Sequence, residues 1–284
     1  MNWRAVATLT LGVALGQLAS AQSLVKNGDA ETGTLDNWVG FTKVVAEGAH
    51  SGKHCFSVTG AVQVMSKEFI PIDTSKTYVV TGWFKSAGKA PSQIYLGVAP
   101  FDEKKESIYP YHVFRIAGTE TTLADACKPE DTVLKIANGA KWNTEPYTCV
   151  AFDVDDSGQL KDLPNRNLSN ANVPGIGVEK VENKGGHWAV QLKGKCGRAY
   201  PAGTKVREHV SGATYMYSAA ARKPVPMAWT EFKGQIKGVA KGDLPADQWW
   251  PGTKYAKLLI LANFEQGAEF SLLADDLTLT AVEK

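Results

Sequence analysis

Neither sign of charge prevails in this sequence. Thirty-one Lys and Arg stand against 29 Asp and Glu in 284 residues, a formal net charge of +2, so the chain lacks the basic surplus that a phosphate backbone demands. Nucleic acid is excluded on that ground. Helical periodicity is missing too: beyond residue 21 no stretch keeps apolar residues at i, i+3, i+4 and i+7 over three turns, and only Leu123 to Cys127 suggests a short helical turn. Long apolar runs are absent from the same region, so no membrane span is expected there. The five histidines and four cysteines form no HExxH, no CxxC and no Cys/His zinc spacing, and there is neither a G-x-S-x-G nor a phosphate loop. The signatures of a metalloprotease, a serine hydrolase and a nucleotide-binding enzyme are therefore all wanting.

What is present begins with an export signal. Residues 1–21 carry Arg4 as their one charge, an apolar stretch over 5–18, and the small-x-small end Ala19-Ser20-Ala21. This pattern reads as a secretory signal peptide cut near Ala21, leaving a secreted or periplasmic chain. In an oxidising compartment cysteines pair by default. One bridge is expected among Cys127, Cys149 and Cys196, while Cys55, inside the run Cys55-Phe56-Ser57-Val58, reads as a buried small hydrophobe.

Strand signals dominate the remainder. Tyr78-Val79-Val80-Thr81-Gly82-Trp83-Phe84, Gln93-Ile94-Tyr95-Leu96-Gly97-Val98, Thr132-Val133-Leu134-Lys135-Ile136, Cys149-Val150-Ala151-Phe152 and Trp188-Ala189-Val190-Gln191-Leu192 are β-branched and aromatic runs bounded by turn residues, as is 270–282. With 27 Gly and 13 Pro as punctuation, the fold class is all-β, a sandwich or barrel. Composition divides the chain. The outer pieces, 22–115 and 227–284, hold the richest aromatic and aliphatic strands. The middle, 116–226, holds most polar turns and three of the four cysteines, and reads as an inserted small β-barrel.

Four motifs in order along the outer pieces resemble the carbohydrate-binding modules of the family 4, 9 and 22 group. Asn27-Gly28-Asp29-Ala30-Glu31-Thr32-Gly33 with Asp36-Asn37-Trp38 is similar to the opening N-G-x-F-E-x-G…W of that group. His50-Ser51-Gly52-Lys53-His54-Cys55-Phe56 is similar to its H-S-G segment. Thr77 through Ala87 resembles its Y-x-x-S-F-W-x-K-A strand, and Phe270-Ser271-Leu272-Leu273-Ala274-Asp275-Asp276-Leu277-Thr278-Leu279 its F-Y-I-D-D-V-x-L end. The resemblance implies a galactose-binding-like jelly-roll β-sandwich, here interrupted by the insert. Ala30, where a Phe is usual, and Gly82, where a larger residue is usual, are its departures.

The resemblance also implies a structural calcium ion tying the two ends of the module. Glu31 and Asp275 would be its side-chain ligands, with backbone carbonyls near residues 48–53 completing a shell of hard oxygens. A second acidic run, Asp153-Val154-Asp155-Asp156-Ser157-Gly158, matches the first half of a calcium loop and makes Asp153 and Asp155 metal candidates. Pro164 stands where that loop needs its last carboxylate, and a polar turn is the preferred reading.

Sugar binding calls for exposed aromatics that stack on pyranose faces, flanked by polar groups for the hydroxyls. The candidates are Trp83, Tyr95, Trp249 and Trp250. Trp83 shares a strand face with Thr81 and Lys85, and two adjacent tryptophans in the loop Trp249-Trp250-Pro251-Gly252 are not expected to enter one core together. Trp38, inside the opening motif, is expected in the core. The function expected is a secreted, non-catalytic protein that binds a polysaccharide through aromatics on a calcium-stabilised sandwich. Two alternatives accompany it. One is a polysaccharide hydrolase or lyase at the sandwich–insert junction, where Tyr109-Pro110-Tyr111-His112 and Arg115 supply acid–base residue types. The other is an extracellular structural or adhesive protein.

Overall fold

The computed structural model describes residues 22–169, 177–241 and 245–282; the expected signal segment, 1–21, lies outside them. In chain order the first half holds β1 (Trp38–Val39), β2 (Lys43–Val45), β3 (Cys55–Thr59), β4 (Val62–Ser66), β5 (Ile70–Pro71), β6 (Thr77–Ser86), β7 (Ser92–Phe101), α1 (Pro110–Val113), β8 (Thr121–Thr122) and β9 (Val133–Ile136). β10 (Thr148–Phe152), β11 (Val178–Asn183), β12 (Trp188–Leu192), β13 (Lys205–Val210), β14 (Met216–Val225), β15 (Thr230–Lys237), β16 (Tyr255–Ala262) and β17 (Ser271–Val282) follow. α1 is the one helix among the described residues. At Leu123 and Cys127, where a helical turn was expected, the backbone instead makes bridges to Ile136 and Tyr200, because their side chains are drawn into the insert's core.

Two sheets form a β-sandwich. One runs β1-β4-β16-β7-β14 with β5 also on β16, the other β15-β6-β17-β3-β2, and all the pairings are antiparallel. Strict alternation decides the inner faces. On β6, Tyr78, Val80, Gly82 and Phe84 are buried and the residues between them are half-exposed; on β7, Ile94, Leu96 and Val98 face in. Trp38 lies in the same core, edge-on to Phe41, with its indole N–H donating to the Asn27 carbonyl at 2.8 Å. Gly82 fits because a Cβ there would come within 2.7–2.8 Å of the Phe84 ring and the Leu277 side chain.

Between β7 and β14 the chain builds two further three-stranded sheets, β10-β13-β8 and β11-β12-β9. Leu134, Ile136, Val178, Val190 and Leu192 from one meet Val150, Phe152 and Val206 from the other in a separate core. The strand Met216–Val225, placed by composition within the insert, pairs with β7 and belongs to the sandwich. Its exposed residues Arg222, Lys223 and Pro224 break the strand pattern near the expected boundary; its position at a sheet edge explains why it can carry them. Gly97 makes that pairing possible, since a Cβ there would lie 1.8 Å from the Met216 carbonyl oxygen.

Candidate functional site

The outer face of the six-stranded sheet carries a groove of about 670 Å³. Register builds it. Gln63 on β4, Leu261 on β16 and Tyr95 on β7 stand side by side, because Leu261 pairs with both Gln63 and Tyr95. Tyr217 on β14 and Tyr215 in the bend just before it complete the wall. Tyr217 lies 4.6 Å from Tyr95 between ring centroids, and Phe264 stands edge-on to Tyr95 at 5.2 Å. The Tyr215 hydroxyl donates to Gln63 Oε1 at 3.1 Å. Burial raises the pKa of both phenols, that of Tyr217 to about 12 with help from Tyr215 and Tyr95. They therefore remain neutral hydrogen-bonding groups at physiological pH. Aromatic walls, an apolar floor of Val62, Leu261 and Ala262, and a few polar edges match what a sugar ring needs: stacking for its C–H faces and partners for its hydroxyls.

Of the sequence candidates, Tyr95 stands in this groove. Trp83 does not. It is half-exposed on the outward side of β6, hence on the opposite outer face of the sandwich, and His50 stacks on it at 3.7 Å. Trp249 and Trp250 are 0% and 2% exposed, which removes both as stacking platforms. The expectation that both cannot enter one core fails because a loop is not bound to strand alternation: Val239 bridges Trp249, Trp249 packs edge-on to Tyr78, and a Trp250–Thr253 turn folds its neighbour inward. Sequence reading missed Tyr215, Tyr217, Phe264 and Gln63. The signal available was Tyr215-Met216-Tyr217, an aromatic–apolar–aromatic alternation that marks a strand with one aromatic face.

The acidic candidates separate into two places. Asp275 and Asp276 sit where β17 shifts register against β6, a bulge that turns both side chains toward the segment 50–54. Asp275 Oδ2 accepts the amides of His50 and Ser51 at 2.9 and 3.2 Å, and Asp276 takes the His50 ring and the Ser51 hydroxyl. Glu31 Oε1 accepts the amides of Lys53 and His54, each at 2.8 Å, which lowers its pKa. Residues from the two ends of the sandwich thus grip one loop. Asp275 is fully buried and makes no ion pair with a cationic side chain among the described residues; burial raises its pKa. Its Oδ1 also accepts the Asp276 amide at 2.8 Å, so both oxygens of the buried carboxylate are bonded to backbone amides and a hard cation would have to share them. No three His, Cys, Asp or Glu side chains converge in metal-binding geometry among the described residues, so backbone oxygens would have to supply the rest of a shell. Asp155 is occupied otherwise: it accepts the amides of Ser157 and Lys161, and with the Ser157 side chain these hold its pKa down to about 2. Asp153 accepts from the Asn167 amide at 3.1 Å.

At the junction, Tyr109, Tyr111, His112, Arg166 and Arg198 line a second depression of about 460 Å³. Tyr109 and Tyr111 stack at 5.3 Å and 11°. His112 is buried, its pKa lowered to about 4 by burial and by Arg166, and its Nδ1 accepts the Tyr109 amide. Arg115 pairs with Glu120 at 3.1 Å. The turn is fixed to the insert by a buried network: Arg207 Nε donates to His209 Nε2 at 2.9 Å, which leaves the proton on Nδ1 to be donated to the Tyr111 carbonyl at 2.9 Å, while Arg207 also pairs with Asp162 at 2.7 Å. Among the three cysteines of the insert, Cys127 and Cys196 touch, with sulfurs 3.3 Å apart and unbonded, and Cys149 lies buried in another cluster. No helix among the described residues is long and apolar enough to cross a membrane.

Among solved structures, the CBM22-1 xylan-binding domain from Paenibacillus barcinonensis Xyn10C is 11% identical, over 93% of this chain and 97% of that one, with a TM-score of 0.41. TmCBM61 in complex with β-1,4-galactotriose is 12% identical over 92% and 100%, with a TM-score of 0.33. A Family 16 Carbohydrate Binding Module-2 is 14% identical over 92% and 99%, with a TM-score of 0.34. No curated protein matches the chain. Residues 22–124, which hold the first three motifs and the strand of Tyr95, match the family model of the carbohydrate binding domain CBM_4_9.

Proposed function

We propose that this protein is a secreted, non-catalytic carbohydrate-binding protein that holds a polysaccharide chain in the groove over Tyr95, Tyr217, Tyr215 and Phe264. The reading rests on one observation, an aromatic-walled groove on a sheet whose strand β7 lies within the segment matching a carbohydrate-binding-domain model. Sugar rings stack on the tyrosines, and Gln63 and the phenols bond their hydroxyls. Calcium is part of the proposal as a structural ion. Glu31 and Asp275 would hold it together with carbonyls of the 48–53 segment, neutralising the buried carboxylate and joining the ends of the sandwich. Oxidation joining Cys127 to Cys196 belongs to the same picture of an extracellular protein.

Affinity electrophoresis through gels holding a panel of soluble polysaccharides tests the reading. Retardation of the mature protein is expected on at least one neutral or acidic glycan. Tyr95→Ala and Tyr217→Ala should each weaken it about tenfold or more, since aromatic contacts and the area they bury contribute on the order of 1–3 kcal/mol, whereas Trp83→Ala should leave it unchanged. Chelator should lower the melting temperature by several degrees. New reducing ends or unsaturated products in the same mixtures would replace the non-catalytic reading by an enzymatic one. Retention on no glycan would leave a structural or adhesive role.

A further inference from the structure

A small pocket of about 80 Å³ lies between the sandwich groove and the junction depression: Tyr215 and Thr214 line both it and the groove, and Ser107 and Tyr109 line both it and the depression. Aromatic rings follow this path from Tyr95 through Tyr217 and Tyr215 to Tyr109 and Tyr111. At its far end are two arginines. Arg166 is committed, its two terminal nitrogens bonded to Asp102 at 2.9 Å and Glu106 at 2.6 Å. Asp102 in turn spends its other oxygen on the amides of Lys104 and Glu106, so the Arg166 pairs close on themselves. Arg198 differs. It is exposed, donates to the neutral Asn167 Oδ1 at 2.5 Å, and makes no ion pair among the described residues. His112 beside it is buried and neutral at physiological pH.

Building on the carbohydrate-binding reading, we propose that a glycan lying in the groove passes over the small pocket to the depression, one track across both domains, in which Tyr109 and Tyr111 carry the chain onto the insert and Arg198 takes an anionic group on it, a uronic-acid carboxylate or a sulfate ester. A planar guanidinium with free N–H donors suits two-oxygen acceptors of this kind. The platform is set in advance, because the Tyr111 carbonyl is held by His209 and the His112 carbonyl by the Asn165 amide. The insert thus lengthens the sandwich's site and supplies the charge that the sandwich groove lacks.

The test uses the whole mature protein on glucuronoxylan, polygalacturonan and a sulfated galactan, each beside its carboxyl-reduced or desulfated form. Wild type should bind at least one anionic glycan about tenfold more tightly than its neutralised form, the scale of one charge-assisted contact. Whether a carboxylated or the sulfated glycan shows the preference identifies the group. Arg198→Gln should abolish the preference and keep the neutral affinity, Arg198→Lys should restore part of it, and Tyr109→Ala should weaken the acidic and neutral forms alike. Equal binding of charged and neutralised glycans, or an unchanged preference in Arg198→Gln, overturns the track while Tyr95-dependent binding leaves the sandwich reading intact. Retention on none of the six overturns the track, and the wider panel of neutral glycans then decides the sandwich reading.

Discussion

The two cores of this protein are held together in different ways. The sandwich is apolar: Phe56, Phe84, Trp38, Trp249 and Trp250 pack with aliphatic residues from both sheets, and Asp275 is its one wholly buried acid among the described residues. The insert has two three-stranded sheets with less apolar surface between them, and it buries Arg207, Glu208 and His209 in succession on β13. Small units cannot bury enough hydrocarbon to be stable by that means alone. Here the deficit is met by hydrogen-bonded charge and a thiol pair, which makes the smaller core more sensitive to pH and redox state than its host.

Breaking the Arg207–Asp162 pair tests this most severely. Asp162→Ala strands a buried guanidinium and should cost about 3–5 kcal/mol, with the loss confined to the insert. Phe84→Ala should cost a similar amount by leaving a cavity, but in the sandwich. Calorimetry of the two variants should show different transitions displaced; coincident loss in both would dissolve the comparison into one cooperative unit. Oxidation comes next in size. Joining Cys127 to Cys196 closes a long loop and should stabilise the insert by about 2–4 kcal/mol, read as a raised insert transition that reductant or Cys196→Ser removes.

The pH response should be smaller and has two signs. Burial raises Glu208 from 4.5 to about 7, so its contribution is full below 4.5 and lost as pH rises through 7. Burial and Arg207 depress His209 from 6.5 to about 3, and its contribution is full above 6.5 and lost on acidification. Between 4.5 and 6.5 the two oppose each other. Glu208→Gln removes one side: relative to wild type the insert should gain about 1–3 kcal/mol above pH 7 and gain nothing below pH 4.5, measured by denaturant unfolding across that range. An equal gain at both ends would mean that Glu208 is not the titrating group.

Much of this was written in the sequence, unevenly. Alternation on β6 and β7 fixed inner and outer faces, and it made Tyr95 legible because an outward aromatic in a strand has nowhere else to go. The same alternation put Trp83 on a surface, and the structure shows that surface to be the one opposite the groove, since which sheet a strand joins depends on long-range pairing. Trp249 and Trp250 were misread because a loop obeys no period. Tyr215 and Tyr217 were passed over because the composition boundary at residue 226 assigned the segment to the insert, whereas Tyr217 lies on a strand of the sandwich. Glu31 and Asp275 were reached through motif order alone, and both in fact bind the one 50–54 loop.

The strand order has a consequence for synthesis. β16 is the middle partner between β4 and β7, and β17 lies between β6 and β3. Both come after the entire insert in the chain. While a ribosome is still extending the polypeptide beyond Val210, the guest already possesses the six strands seen among its described residues, whereas each sheet of the host is missing a strand that joins its two sides. The guest is complete before its host, and the floor of the groove, supplied by Leu261 and Ala262, is laid almost last.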